Sequence, residues 1–214
     1  MRDKKSTRVS EINLGQAMTV AVQLCLVDLL ESWGITPSAV TSHSSGEIAA
    51  AYAVRALSFK QALGAVYYRG EVALKHQKIS SLQGGMLAAG LSATAAEQYI
   101  ANTTNGRAIV ACINSPNSVT LSGDSAAIDE VMSRLEKDGV FARKLNVPLA
   151  YHSHHMMHMA KDYTDLLEGI LSDNKWNSSI IFSSPVTGGL VTSAKALSAS
   201  HWTRNLTSPV LFSQ

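Results

Sequence analysis

One stretch near the front of the chain restricts the fold more than any other. Residues 39–41 form a short apolar strand candidate that runs directly into Ser42-His43-Ser44-Ser45-Gly46. Glu47-Ile48-Ala49-Ala50-Ala51-Tyr52 follows at once and reads as helix. A strand, a tight turn of small polar residues and a helix make a βα junction, and such junctions belong to α/β folds with a parallel sheet. The surrounding pattern fits that class. Residues 16–33 carry apolar side chains at helical spacing and end at Gly34, a common helix terminator. Residues 59–78 predict a further helix, which carries Tyr67, Tyr68 and Arg69.

A different rhythm begins at Gly84-Gly85. Residues 86–91 predict a strand, 93–103 a helix, 108–113 and 118–121 two strands around the turn Asn114-Ser115-Pro116-Asn117, 126–137 a helix with an apolar face, and 141–147 a strand. The order βαββαβ is that of a ferredoxin-like unit. The expected architecture is therefore an α/β-hydrolase-like large unit made of residues 1–83 and 148–214, with a ferredoxin-like small unit, 84–147, inserted into it. After Pro148 comes Tyr151-His152-Ser153-His154-His155-Met156-Met157-His158, then a helix to about residue 171 and a short strand candidate at 180–182.

Composition narrows the function classes. Of the 214 residues 46% are hydrophobic and 16% charged, which excludes a disordered chain. The net charge of +2 points toward neither nucleic acid nor a membrane surface. The most apolar stretch is interrupted by Asp28 and Glu31, so no membrane span is expected. The basic start (Arg2, Lys4, Lys5, Arg8) is followed by Glu11 and not by the apolar core of a secretory signal. Cys25 and Cys112 cannot build a disulfide framework, and both sit in apolar runs where buried free thiols are common. A reducing, cytoplasmic setting is the expectation.

The serine turn admits two readings. A small-x-Ser-x-Gly turn between strand and helix is the layout of a nucleophile elbow, with Ser44 as nucleophile and the Ser45 N–H as an oxyanion donor. The bland alternative is a serine-rich helix cap. A nucleophilic serine needs a base, and four of the seven histidines (His152, His154, His155, His158) fall close together. His154 and His158, spaced i, i+4, could instead bind zinc, but no third ligand is obvious and no metal is expected. His155 and His158 otherwise read as solvated residues of a polar helix start, and His43 as a packing or supporting residue. Arg69 taken alone is an ordinary surface or capping arginine.

These residues resemble a known family. His43-Ser44-Ser45-Gly46-Glu47-Ile48-Ala49-Ala50-Ala51-Tyr52 is similar to the serine motif of malonyl-CoA:acyl-carrier-protein transacylases, and specifically of the acyltransferase domains of fungal type I polyketide synthases. Further matches follow in the family's order: Tyr67-Tyr68-Arg69-Gly70, Gly85-Met86-Leu87-Ala88, Ile113 to Gly123, Phe141 to Leu145, Tyr151 to Met156, and Asn205-Leu206-Thr207-Ser208-Pro209-Val210. The resemblance implies that Ser44 takes an acyl group from CoA and that His152 is the general base, held by a main-chain carbonyl near Asn205 rather than by a carboxylate. It implies that Arg69 grips the free carboxylate of a malonyl group, and that Tyr151, Gln16 and Asn114 belong to the substrate-binding set. The acceptor would be the phosphopantetheine thiol of an acyl carrier protein. Neighbouring polyketide synthase domains would be partners, and no bound cofactor is expected. Ser45 and Asn205 would serve the oxyanion and the orientation of the base.

The chain departs from the family pattern in two places. The turn normally opens with Gly, where this chain has Ser42, which implies some loss of geometry at the elbow. The family also begins with a strand and a Gly-Gln-Gly-rich loop, and nothing like it precedes Glu11. The expectation is a chain truncated at the front, lacking one oxyanion donor (~10²–10³ in rate) and exposing apolar surface. An inactive remnant, and a lysophospholipase-like or esterase-like serine hydrolase with water as acceptor, are the alternatives; a neutral acyl substrate would have no need of Arg69.

Overall fold

A computed structural model describes residues 7–9, 11–79, 83–147, 149–171, 176–177 and 179–213. The basic start at Arg2, Lys4 and Lys5 lies outside the described residues, as does Pro148. Helices α1 (Ile12–Ser32), α2 (Glu47–Ala53) and α3 (Phe59–Ile79) come first, with β1 (Ala39–Val40) between α1 and α2. Then follow β2 (Gly84–Ala89), α4 (Ala93–Ile100), β3 (Ala108–Ser115), β4 (Ser118–Asp124), α5 (Ser125–Lys137) and β5 (Ala142–Lys144). The rest comprises α6 (Ala160–Glu168), β6 (Ile181–Ser184), β7 (Gly189–Val191), α7 (Ala199–Thr207) and β8 (Val210–Leu211).

The βαββαβ order is present, and its strands lie β5-β2-β4-β3, the antiparallel ferredoxin-like arrangement. The local signals explain it. Ser92 caps α4 by accepting the Ala95 N–H at 3.2 Å. α5 buries Ala127, Ile128, Val131 and Leu135, one helical stripe, against the sheet. A fifth strand, β8, comes from the chain's last residues and pairs parallel with β3 through Cys112 and Val210.

The other sheet has three strands in the order β1-β6-β7. Its parallel character rests on the β1–β6 pair (Ala39 beside Ile181, Val40 beside Phe182), and β7 adds an antiparallel edge. β1 is two residues long because the chain must leave the sheet at once for the serine turn. Around this sheet α1, α2, α3, α6 and α7 build the larger core, which includes Leu24, Ile48, Val66, Tyr163, Phe182 and Trp202.

By length and composition α1 could cross a membrane, despite Asp28 and Glu31. Its polar side chains nevertheless bond into the rest of the fold: Asn13 to Glu71, Gln16 to Tyr151 and Arg69, and Asp28 to Tyr52. Its outer face exposes Met18, Val22, Leu26, Leu29 and Trp33. Cys25 lies on α1 and is exposed, contrary to the expectation from its apolar neighbours, because those neighbours form the uncovered face; Cys112 is buried in β3.

The contact of α1 with α3 depends on Gly70. A Cβ there would stand 2.8 Å from Asn13 Cα and 3.0 Å from the Asn13 carbonyl oxygen. Only a glycine lets the two backbones approach this closely, and Arg69 is its neighbour. Gly70→Ala should lower stability by about 1–3 kcal/mol through overpacking, seen as a fall in melting temperature. A melting point unchanged from the parent chain would contradict this account of the helix contact.

Candidate active site

The serine turn folds as a short 3₁₀ segment, Ser44–Gly46, ahead of α2. Ser44 has a φ of 51° and His152 a φ of 61°, so both residues sit in the left-handed region that side chains disfavour. Holding a residue there costs on the order of 1–3 kcal/mol, and such conformations cluster where geometry serves chemistry. Ser42 does not spoil the turn. Among the described residues the non-glycine positive-φ positions are Ser44, Arg55 and His152, so position 42 needs no glycine freedom. The Ser42 hydroxyl is simply buried without a protein partner.

Ser44 Oγ lies 2.7 Å from His152 Nε2, and His152 Nδ1 lies 3.0 Å from the carbonyl oxygen of Ser208. A carbonyl only accepts, so Nδ1 carries the proton and Nε2 is the acceptor for the Ser44 hydroxyl. The Ser208 carbonyl is available because Ser208 is the C-cap of α7 and has left helical geometry. His152 is 2% exposed. Burial and then the Arg69 charge push its imidazole down to about 3, against the Ser208 bond, which favours the cation. A neutral imidazole bonded to a hydroxyl, with its other nitrogen fixed, can take the hydroxyl proton and make the oxygen nucleophilic.

Arg69 belongs to the buried stripe of α3 (Ala62, Ala65, Val66, Arg69, Val72, Ala73), which removes the surface-arginine reading. It is 1% exposed. Its Nε donates to Gln16 Oε1 at 2.8 Å, its Nη1 to Asn205 Oδ1 at 2.5 Å, and its Nη2 reaches Ser44 Oγ only at 3.5 Å. Among the described residues no carboxylate forms an ion pair with it. Burial lowers its affinity for the proton, partly offset by Tyr163, Tyr151 and Glu47. Gln16 also donates from Nε2 to Tyr151 Oη at 2.8 Å, so Gln16 and Tyr151 frame Arg69.

Other expected residues fall differently. Asn205 does not touch His152; the base is held by Ser208, one turn further along, because a helix end frees a carbonyl that a side chain within α7 cannot replace. Asn205 Nδ2 instead donates to the Ser44 carbonyl at 3.0 Å and to Glu47 Oε2 at 2.7 Å. Asn114 meets His43 at 2.9 Å and not Ser44. His43 also packs on Phe212, with ring centroids 5.7 Å apart.

The histidine-rich segment is a 3₁₀ helix, His154–Met159. At three residues per turn the i, i+4 pairing of His154 with His158 does not arise, and His158 is exposed. His155 is buried, not solvated, because Asp124 accepts from its Nε2 at 2.7 Å. His154 Nε2 reaches the same oxygen at 3.1 Å. The ligand atoms of Asp124, His154 and His155 converge within 4.8 Å, a combination that sequence spacing did not suggest because Asp124 comes from the end of β4. Burial raises the Asp124 carboxyl, but the bonds from Arg107, His155 and His154 together hold it below its usual range.

Known proteins share this arrangement of elements. Over residues 1–214 the chain matches the family described as "Acyl transferase domain", and it belongs to that family. It is 54% identical over 213 residues to the highly reducing polyketide synthase pks5 of Leptosphaeria maculans, covering 100% of this chain and 8% of that protein. It is 50% identical over 214 residues to squalestatin tetraketide synthase of a Phoma species, again spanning 8% of it. Among solved structures it resembles the acyltransferase domain from module 8 of the salinomycin polyketide synthase, with a TM-score of 0.84 and 32% identity, over 98% of this chain and 48% of that one. A loading acyltransferase from the avermectin modular polyketide synthase gives a TM-score of 0.85 and 27% identity, over 99% of this chain and 65% of that one.

The depressed affinity of His152 for protons has a definite sign. The unfolded imidazole takes its proton near 6.5 and the folded one at about 3. The folded state is therefore at full stability above pH 6.5, and this contribution is lost as pH falls from there toward 3. The His152 ring resonances should show no titration between about pH 8 and 5 in the folded chain. A midpoint near the ordinary value would remove the buried, neutral base.

Proposed function

We propose that the chain transfers a malonyl group from CoA to the phosphopantetheine thiol of an acyl carrier protein, through an ester on Ser44. One observation carries this reading: Arg69 is a buried guanidinium with no carboxylate partner among the described residues, and its Nη2 lies beside Ser44 Oγ. An unpaired buried charge is expensive, and an acyl group that ends in a carboxylate would pair with it bidentately. A neutral acyl or lipid group would not, so nothing here favours the esterase alternative.

In the first half-reaction Ser44 Oγ attacks the thioester carbon and its proton passes to His152 Nε2. The tetrahedral oxyanion is met by the Ser45 N–H, which lies in the 3₁₀ segment ahead of α2. Collapse breaks the C–S bond, and the CoA sulfur leaves with the proton from His152. In the second half the carrier thiol gives its proton to His152 Nε2 and attacks the ester, and Ser44 recovers its hydrogen. Gln16 and Asn205 hold Arg69 in line, Tyr151 accepts from Gln16 beside it, and Asn114 bonds to His43. The steps draw on protein side chains and main-chain groups, and no bound cofactor enters them.

The polyketide synthase relatives support neighbouring synthase segments as partners, and the exposed face of α1 is available to them. In this reading residues 1–83 and 148–214 form the transfer unit and 84–147 the smaller one, in a cytoplasmic enzyme.

Intact-protein mass after brief incubation with malonyl-CoA tests the proposal. A malonyl adduct should form and be absent from Ser44→Ala. Arg69→Ala should slow malonyl loading by about 30-fold or more relative to acetyl loading, the equivalent of ~2 kcal/mol. No adduct on folded parent chain, or equal losses with both donors, would overturn the assignment of substrate.

A further inference from the structure

Glu47 is the first residue of α2 and is completely buried. Its Oε1 accepts from the Ser184 hydroxyl and from His201 Nε2 at 3.2 Å, and its Oε2 accepts from Asn205 Nδ2 at 2.7 Å. The Ser184 oxygen in turn accepts the Val186 N–H, which leaves its proton for Glu47. A donor faces each carboxylate oxygen, the Ser184 hydroxyl at Oε1 and the Asn205 amide at Oε2, with His201 Nε2 beside Oε1, an environment that suits a carboxylate. None of these donors is a guanidinium.

This arrangement fixes which way the Asn205 amide faces. With Nδ2 committed to Glu47 and to the Ser44 carbonyl, Oδ1 must point at Arg69 Nη1. A flipped amide would set an NH₂ against a guanidinium and an oxygen against both a carboxylate and a carbonyl. The charge of Glu47 thus reaches Arg69 through one neutral amide. Direct contact would occupy the guanidinium fork; the interposed amide holds Arg69 at Nη1 while Nη2 keeps only its long contact with Ser44.

We infer that Glu47 is a positioning residue for carboxylate-bearing acyl groups: acting through Asn205 it aims Arg69 and balances its charge from a distance, so that the fork stays open to the substrate. The inference rests on the malonyl reading given above. It extends that reading to a residue that touches neither Ser44 Oγ nor the acyl group.

Glu47→Gln keeps the shape, loses the charge and keeps an acceptor oxygen for one side of the site while setting an NH₂ against the other. Its malonyl-loading kcat/KM should fall about tenfold or more, mostly through KM, while acetyl loading changes little. A purely structural Glu47 would lower the melting point and both donors' rates together, so an unchanged malonyl-to-acetyl ratio in a folded variant would overturn the inference. If Glu47→Gln does not fold, Ser184→Ala, which strips one donor from Glu47 and touches no group at the substrate, should shift the ratio in the same direction by a smaller factor. Failure of both variants to fold would assign Glu47 to the fold alone. A parent chain that forms no Ser44 adduct would instead sink the malonyl reading itself, and the two failures are therefore distinguishable.

Discussion

A guanidinium buried without a facing carboxylate among the described residues is the constraint around which this molecule is arranged. Moving an isolated charge out of water is costly unless dipoles and hydrogen bonds replace the lost hydration. Arg69 receives that replacement from two amide oxygens, those of Gln16 and Asn205, supplied by the first helix and the last. The helix contact that brings Gln16 within reach requires a glycine at position 70, and the orientation of Asn205 requires Glu47. The same charge also acts on the base: after burial, Arg69 is the largest influence keeping His152 neutral. One buried cation therefore couples base strength and helix packing, and under the proposed function the charge of the substrate as well. A substrate carboxylate seated on Arg69 would offset its field at His152 and make the imidazole more basic while the acyl group is bound.

The elements around the serine turn can largely be read in the sequence, since the turn residues, Gly34 and the period-two and period-3.6 patterns are local signals. The βαββαβ unit follows for the same reason, as does the helix over residues 59–78; the pairing of Ser44 with His152 rests on the family resemblance, since the residues alone leave four histidines open. What escapes local reading depends on contacts made across the chain. The Ser208 carbonyl has no side-chain signature, and its availability depends on where α7 ends. The burial of His155 depends on Asp124, which is 31 positions away. β7 and β8 are only three and two residues long, and only their neighbours identify them, while the buried stripe of α7 mixes Ala199, Trp202 and Leu206 with the polar His201 and Asn205. Glu47 could be seen only as the tail of a turn motif, because a carboxylate at a helix start is ordinarily a solvated capping charge.

The five-stranded sheet does more than enclose its own core. Strand β8 joins β3 immediately after Ser208, so the carbonyl that fixes the base sits where the chain crosses from α7 onto that sheet. His43, next to the nucleophile, meets Asn114 at the end of β3, while His154 and His155, just past the base, meet Asp124 at the end of β4. These contacts tie the segments that carry Ser44, His152 and Ser208 to one five-stranded sheet. The two left-handed residues, Ser44 and His152, need such support, because each would relax by on the order of 1–3 kcal/mol if its flanking chain were free to move. Nucleophile and base are drawn together from 108 positions apart, and the bond between them stays at 2.7 Å because both ends are braced against the same sheet. The five-stranded sheet is thereby part of the site's geometry, even though Ser44, Arg69 and His152 all lie outside its strands.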